Sequence, residues 1–196
     1  MITIRPSLIP GRWREGYALD LHTESSTHVG DDEYGHPQFE NKRSPAGELL
    51  FRIKYRLDRS AVPELVECAA AFVRAWHPPI DMIVPVPPTR VRALQPVIVL
   101  GEALAKDIGV DFCGDCVRRT KEVPELKDVY DYDERVRLLI DAHGVDRARV
   151  AGRKVLLFDD LYRSGATMSS IAAALNDLGG SGDVFALTVT RTRSRR

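Results

Sequence analysis

Apolar residues along this chain follow two rhythms: short unbroken runs, and longer stretches in which they recur every three or four positions. Val155 to Phe158 is an unbroken run, the pattern of a strand buried on both faces as in a parallel sheet. Residues 81–86 and Val184 to Val189 read the same way, and another strand is expected over Val110 to Val117. Tyr17, Leu19 and Leu21 alternate with Ala18, Asp20 and His22, which predicts a further strand. Helical spacing marks Leu49 to Leu57, with Leu49, Leu50, Ile53 and Leu57 on one side and Arg52, Lys54 and Arg56 on the other. It also marks Pro63 to Trp76, and Val97, Leu100, Leu104 and Ile108 ahead of Gly109. A last helix carries Met168, Ile171, Ala172, Leu175 and Leu178. It closes at Gly179-Gly180, glycine being suited to the left-handed cap. Thr23 to Ser44 is polar and broken by Gly30, Gly35 and Pro37, as a solvated loop would be. Strands alternating with helices predict an α/β fold with a mostly parallel sheet flanked by helices.

Composition narrows the class of molecule. The 196 residues carry 28 Lys and Arg against 28 Asp and Glu, a formal net charge of zero. One enzyme-sized domain over residues 46–196, preceded by an N-terminal extension over 1–45, is the simplest division. Balanced charge argues against a dedicated nucleic-acid binder. The tail with Arg191, Arg193, Arg195 and Arg196 reads as a frayed terminus, with nucleic-acid contact the weaker alternative. No apolar run reaches membrane-spanning length and the N-terminus lacks the layout of a signal peptide, so a cytoplasmic protein with no membrane partner is expected. Three cysteines do not suggest a disulfide framework. Cys113 and Cys116 form a single CxxC, too few ligands for zinc, and are expected to be structural. His22, His28 and His36, beside Asp31, Asp32 and Glu33, match no ligand spacing and are expected in a solvated loop.

The densest chemistry follows the run Val155 to Phe158. Asp159 and Asp160 stand where that strand is expected to end, and Ser164-Gly165-Ala166-Thr167 leads into the last helix. A helix N-terminus offers unpaired N–H groups and the positive end of its dipole to a phosphate. Ser164 and Thr167 can add hydroxyl donors, and Gly165 lets the backbone come close. Two carboxylates beside a phosphate cradle are acceptors for a vicinal diol, and the pair together describe a site for a ribose 5-phosphate. The carboxyl end of a strand is where open α/β sheets bind ligands. The loop lacks the Gly-Lys-Ser/Thr of a Walker motif.

This segment, VLLFDDLYRSGAT, resembles the phosphoribosyl-diphosphate (PRPP) signature of type I phosphoribosyltransferases. It departs from the commonest form at Tyr162, usually aliphatic, and at Arg163, usually small. The resemblance implies a PRPP site made of Asp159, Asp160, Leu161, Tyr162, Arg163, Ser164, Gly165, Ala166 and Thr167. The acid pair would hold the ribose hydroxyls, directly or through the shell of a Mg²⁺ cofactor that it meets indirectly. Pro88, Thr89, Arg90 and Arg92 occupy the place of the family's diphosphate loop, and guanidinium forks match phosphate oxygens. Asp159, Asp160 and Arg90 are thus the expected catalytic residues. Residues 118–137 resemble a closing lid, with Lys121, Lys127 and Arg135 as its cations.

A wider resemblance covers roughly residues 45 to 192. Leu50 to Arg56 (LFRIKYR), Val84 to Arg90 (VPVPPTR), Arg118-Arg119-Thr120, Glu134-Arg135 and the PRPP segment occur in the order found in ComF-type amidophosphoribosyltransferase-like proteins. Two features depart from that family. The first cysteine is Cys68, so its cysteine-rich zinc ribbon is absent, and Arg92 to Pro96 keeps only Gln95 of its Arg-Gly-Phe-Asn-Gln block. The resemblance implies transfer of a phosphoribosyl group from PRPP to a nitrogenous acceptor, with release of diphosphate, by a homodimer. The alternative is a PRPP- or nucleotide-sensing regulator linked to DNA uptake or repair. The acceptor is expected to be set by residues 1–45, which match no readable pattern. Lys54 and Arg56 are expected on a solvated helix face.

Overall fold

The computed structural model describes residues 2–89, 92–120 and 142–193. In chain order these form β1 (Ser7–Leu8), β2 (Glu15–Leu21), β3 (Thr23–Asp31), β4 (Pro37–Arg43), α1 (Pro45–Arg56), α2 (Ala61–Trp76), β5 (Met82–Pro85) and α3 (Pro96–Ile108). There follow β6 (Asp111–Phe112), β7 (Val117–Arg119), β8 (His143–Val145), α4 (Arg147–Val150), β9 (Lys154–Tyr162), α5 (Ala166–Asp177) and β10 (Asp183–Arg191). The central sheet has the order β1-β2-β10-β9-β5-β6, parallel throughout except for β1, which runs antiparallel to β2.

Alternation along the buried strands builds a core on each face. Leu156 and Phe158 of β9, Phe185, Leu187 and Val189 of β10, Ile83 of β5 and Leu19 of β2 pack under α1, α2 and α3, against Leu50, Ile53, Leu65, Leu100 and Leu104. Val155, Leu157, Val184, Ala186, Met82 and Val84 pack on the other face against Met168, Ile171 and Leu175 of α5. The all-apolar runs are therefore strands covered by helices on both sides, as the sequence pattern predicts.

Three elements differ from the expectations. Helix α1 starts at Pro45, ahead of its apolar stripe, because Ser44 caps it: its Oγ accepts the Gly47 amide at 3.0 Å, and Pro45 needs no N–H at that position. The polar stretch after Leu21 is a hairpin, β3 against β4, rather than a loop. Nearly all of it is exposed, so burial leaves no period in its sequence. The strand expected over Val110 to Val117 is two, β6 in the main sheet and β7 paired antiparallel with β8. Cys113 and Cys116 lie in the turn between them, which brings their Cα atoms to 5.5 Å, and they are joined as a disulfide. Cys68 is a free, buried thiol.

Candidate active site

Strands β2, β10, β9 and β5 all end on one edge of the sheet, and β9 places the acid pair there. On the β5 side its ladder stops at Pro85↔Phe158, closed by Val86 N–H donating to Phe158 O at 2.8 Å. On the β10 side pairing continues from Thr188↔Asp159 to Arg191↔Tyr162. The strand thus runs four residues beyond Phe158, through the acid pair at which it is expected to end. Past Pro85 the acid pair is backed within the sheet by β10 alone.

Successive residues of β9 face opposite ways, so the two acids have different surroundings. Asp159 Oδ1 accepts the amide of Asp160 at 2.8 Å. Burial, and then the adjacent charge of Asp160, push its carboxyl up to about 8. Asp160 continues the Leu156–Phe158 face, toward α1, and there it meets Lys54: Nζ stands 2.8 Å from Oδ1, with side chains only 12% and 18% exposed. This overturns the expected solvated face for Lys54. Leu50 and Lys54 are four residues apart and share a stripe of α1; where the sheet ends and the carboxylate begins, the stripe changes from leucine to lysine. Arg56 does remain outside, exposed and 5.5 Å from the Phe51 ring centroid.

The phosphate-cradle segment turns from β9 into α5. Gly165 has φ +77°, and a Cβ there would lie 2.7 Å from ring atoms of Tyr162. Tyr162 is buried beneath the turn, its Oη donating to Pro10 O at 2.8 Å and its ring edge-on to Trp13 at 6.4 Å. The aromatic departure in the signature is therefore a strut tying the N-terminal segment to the loop. Ser169 N–H donates to Gly165 O at 2.8 Å to close the first helical turn, which leaves the amides of Ala166, Thr167 and Met168 without intrahelical acceptors. Ser164 and Thr167 are partly exposed beside them, Leu161 is half-buried, and Arg163 is exposed. Replacing Gly165 by alanine is expected to destabilise the fold by about 1–3 kcal/mol, through left-handed strain and collision with Tyr162. Urea unfolding of Gly165→Ala measures this, and unchanged stability would contradict the strut geometry.

Of the residues expected at the diphosphate loop, Pro88 and Thr89 are exposed just past β5, and Arg92 lies with Cζ 5.7 Å from the Tyr55 ring centroid of α1. Arg90 lies outside the described residues, as do Lys121, Lys127 and Arg135. His28 and His36 stand on the exposed hairpin, 3.0 Å from Asp31 and 3.4 Å from Asp32. His22 does not belong with them. It follows β2 at the same sheet edge, half-buried, with Nδ1 3.1 Å from Thr190 Oγ1, and that hydroxyl donates to Asp160 O at 3.2 Å. Its place at the end of an alternating strand was the available signal.

Among the described residues no three His, Cys, Asp or Glu side chains are grouped to hold a metal ion. Lys54 occupies Asp160 Oδ1 and the Asp160 amide occupies Asp159 Oδ1. The remaining carboxylate oxygens suit hydroxyls or ion-bound water. A Mg²⁺ arriving on a diphosphate fits this donor set.

A mostly parallel sheet flanked by helices is the architecture of the type I phosphoribosyltransferase fold. The chain is similar to adenine phosphoribosyltransferase from Saccharomyces cerevisiae complexed with an imino-altritol bisphosphate and adenine, with TM-score 0.50 and 15% identity over 85% of this chain and 84% of that one. It is also similar to glutamine PRPP amidotransferase from B. subtilis complexed with ADP and GMP, with TM-score 0.50 and 14% identity over 81% of this chain and 34% of that one. It thus spans about a third of that second enzyme. Identities this low establish the fold. The sequence matches no family model and no curated protein. Among the described residues no helix is long and apolar enough to cross a membrane.

Proposed function

We propose that this protein binds PRPP with Mg²⁺ and transfers its phosphoribosyl group to a nitrogenous acceptor, releasing diphosphate. The carrying observation is the adjacency of Asp159 and Asp160 to the open N-terminus of α5, on the ligand-binding edge of the sheet. The acid pair accepts from the ribose hydroxyls, and Ser164 to Thr167 hold the 5-phosphate. Pro88, Thr89 and Arg92 flank the diphosphate at the end of β5. Bound Mg²⁺ supplies positive charge that stabilises the departing diphosphate. Lys54 offsets part of the negative charge that two carboxylates and a polyphosphate bring together.

Lys54 also lies in LFRIKYR, so the segment resembling ComF-type proteins reaches the acid pair. This supports assignment to that branch; a homodimer, and an acceptor-side hood over residues 1–45, follow from that resemblance alone. Calorimetry with PRPP and Mg²⁺, then diphosphate release with a panel of bases and amines, tests the proposal. Micromolar binding and acceptor-dependent release are expected. No binding would overturn the proposal; binding without turnover on any acceptor would favour a PRPP-sensing role.

A further inference from the structure

We infer that His22 is the base that takes the proton from the incoming nitrogen of the acceptor; this rests on the phosphoribosyl-transfer reading above. Across the carboxyl edge the sequence is β2, β10, β9, β5. The ribose diol belongs to the end of β9 and the diphosphate to the end of β5, so the leaving group departs on the β5 side. A nucleophile displacing it approaches the anomeric carbon from the opposite side, over the ends of β10 and β2. His22 is the first residue past β2, its N–H donating to Arg191 O at 2.8 Å. Register puts Leu21 level with Arg191, and Arg191 level with Tyr162. At about 4.8 Å per strand, two spacings of ~10 Å in all separate the backbone of His22 from β9, with β10 between them and Thr190 bridging the two.

A threonine hydroxyl has one proton. Thr190 Oγ1 gives its proton to Asp160 O at 3.2 Å, so at the His22 contact of 3.1 Å it accepts, and Nδ1 carries the hydrogen. Nε2 is left with its lone pair and makes no hydrogen bond among the described residues. The relay from Asp160 O through Thr190 orients the imidazole from the same residue that grips the diol. Its backbone is held as well: a Cβ on Gly47 would overlap the His22 carbonyl, and Ser44 Oγ donates to the neighbouring Leu21 O.

The charges facing the ring keep it a base. Burial lowers the His22 pKa first, and Lys54 from α1 and Arg43 from β4 lower it further, against a smaller opposing pull from Asp160. The imidazole is therefore neutral at neutral pH. In the step itself the acceptor nitrogen forms a bond to the anomeric carbon as the bond to diphosphate breaks. The bonding pair leaves on diphosphate oxygen, and the surplus N–H proton passes to Nε2, giving imidazolium and a neutral N-glycoside.

The test uses the full chain, wild type and His22→Gln, with ammonia as the nitrogen nucleophile because it needs no shaped pocket. PRPP affinity by calorimetry is expected to agree within about twofold between the two proteins, whereas ammonia-dependent diphosphate release should be about 100-fold slower in the variant. Corrected for the free-ammonia fraction, the wild-type rate should fall at acid pH through a pKa below 6.5, and the variant rate should not. Imidazole ¹⁵N spectra should show a protonated Nδ1 and a bare Nε2 that shifts on saturation with PRPP. Equal release rates, the opposite tautomer, or a His22 signal indifferent to PRPP would overturn the inference. So would a wild type that binds PRPP but shows no ammonia-dependent release. Failure of the wild type to bind PRPP at all would bring down the phosphoribosyl reading and this inference together, and calorimetry alone identifies that case.

Discussion

At alkaline pH, Asp159→Asn/Asp160→Asn should lose at least ~100-fold in PRPP affinity, and Asp159→Asn alone should gain thermal stability. The affinity loss follows from replacing two carboxylate acceptors: hydrogen bonds to charged groups contribute about 1.5–3 kcal/mol each, and about 1.4 kcal/mol is a factor of ten. The stability gain has the opposite origin. The pKa of Asp159 in the fold, raised to about 8 by burial and by Asp160, exceeds the ordinary carboxylate value it has when unfolded. The native state therefore binds this proton more tightly, and native stability falls as pH climbs from the carboxylate range through about 8. An amide at position 159 escapes that loss while Asp160 stays paired with Lys54. At pH 8 Asp159→Asn, which keeps the Lys54–Asp160 pair, should melt several degrees higher than wild type, each kcal/mol being worth about 2–4 °C in a domain of this size. Near pH 4 the difference should vanish. Calorimetric titration and melting at the two pH values read both effects. Unchanged PRPP affinity would remove the diol assignment, and a lower melting point at pH 8 would show that the site is not strained by its own charge.

Much of this was legible in the sequence because burial writes periodicity. The runs Val155 to Phe158 and Val184 to Val189 became the paired central strands β9 and β10, covered on both faces. The apolar spacing within α1, α2, α3 and α5 located four helices. What stayed illegible has a common physical cause. The β3–β4 hairpin is held by its backbone ladder with little burial, so composition read it as a loop. Strands β6 and β7 are two and three residues long, too short to show a period. Lys54 and His22 were read by residue type, as charge and polarity that belong in water. Their positions depend on where a helix stripe and a strand run out at the sheet edge, which no local pattern contains. The proposed sugar-phosphate segment, Asp159 to Thr167, is continuous in the chain; the groups facing it from α1 and β2 come from more than a hundred residues away.

Lys54→Met tests that tertiary contribution, and its effect should be the second largest. Methionine keeps the length and packing of the stem but removes the ammonium 2.8 Å from Asp160 Oδ1. Asp160 is then left mostly buried beside Asp159 with no counter-charge, and removing one partner of such a pair exposes the desolvation cost of the other. The pair retains some solvent contact, so the stability loss is discounted to about 1–2 kcal/mol. Binding should suffer more. PRPP adds further negative charge to the same cleft, and a site lacking Lys54 is expected to bind it about 10–100-fold more weakly. Lys54 is also among the influences that lower the Asp159 pKa. Without it the acid pair holds its proton to higher pH, so the midpoint at which PRPP binding strengthens with rising pH should move upward in Lys54→Met. Lys54→Arg restores the charge on a different fork and should recover the pH midpoint more fully than the affinity. A purely structural lysine would lower the melting temperature and leave that midpoint in place. The midpoint of PRPP binding against pH, followed in wild type, Lys54→Met and Lys54→Arg, therefore decides whether α1 belongs to the site or only to the core beneath it.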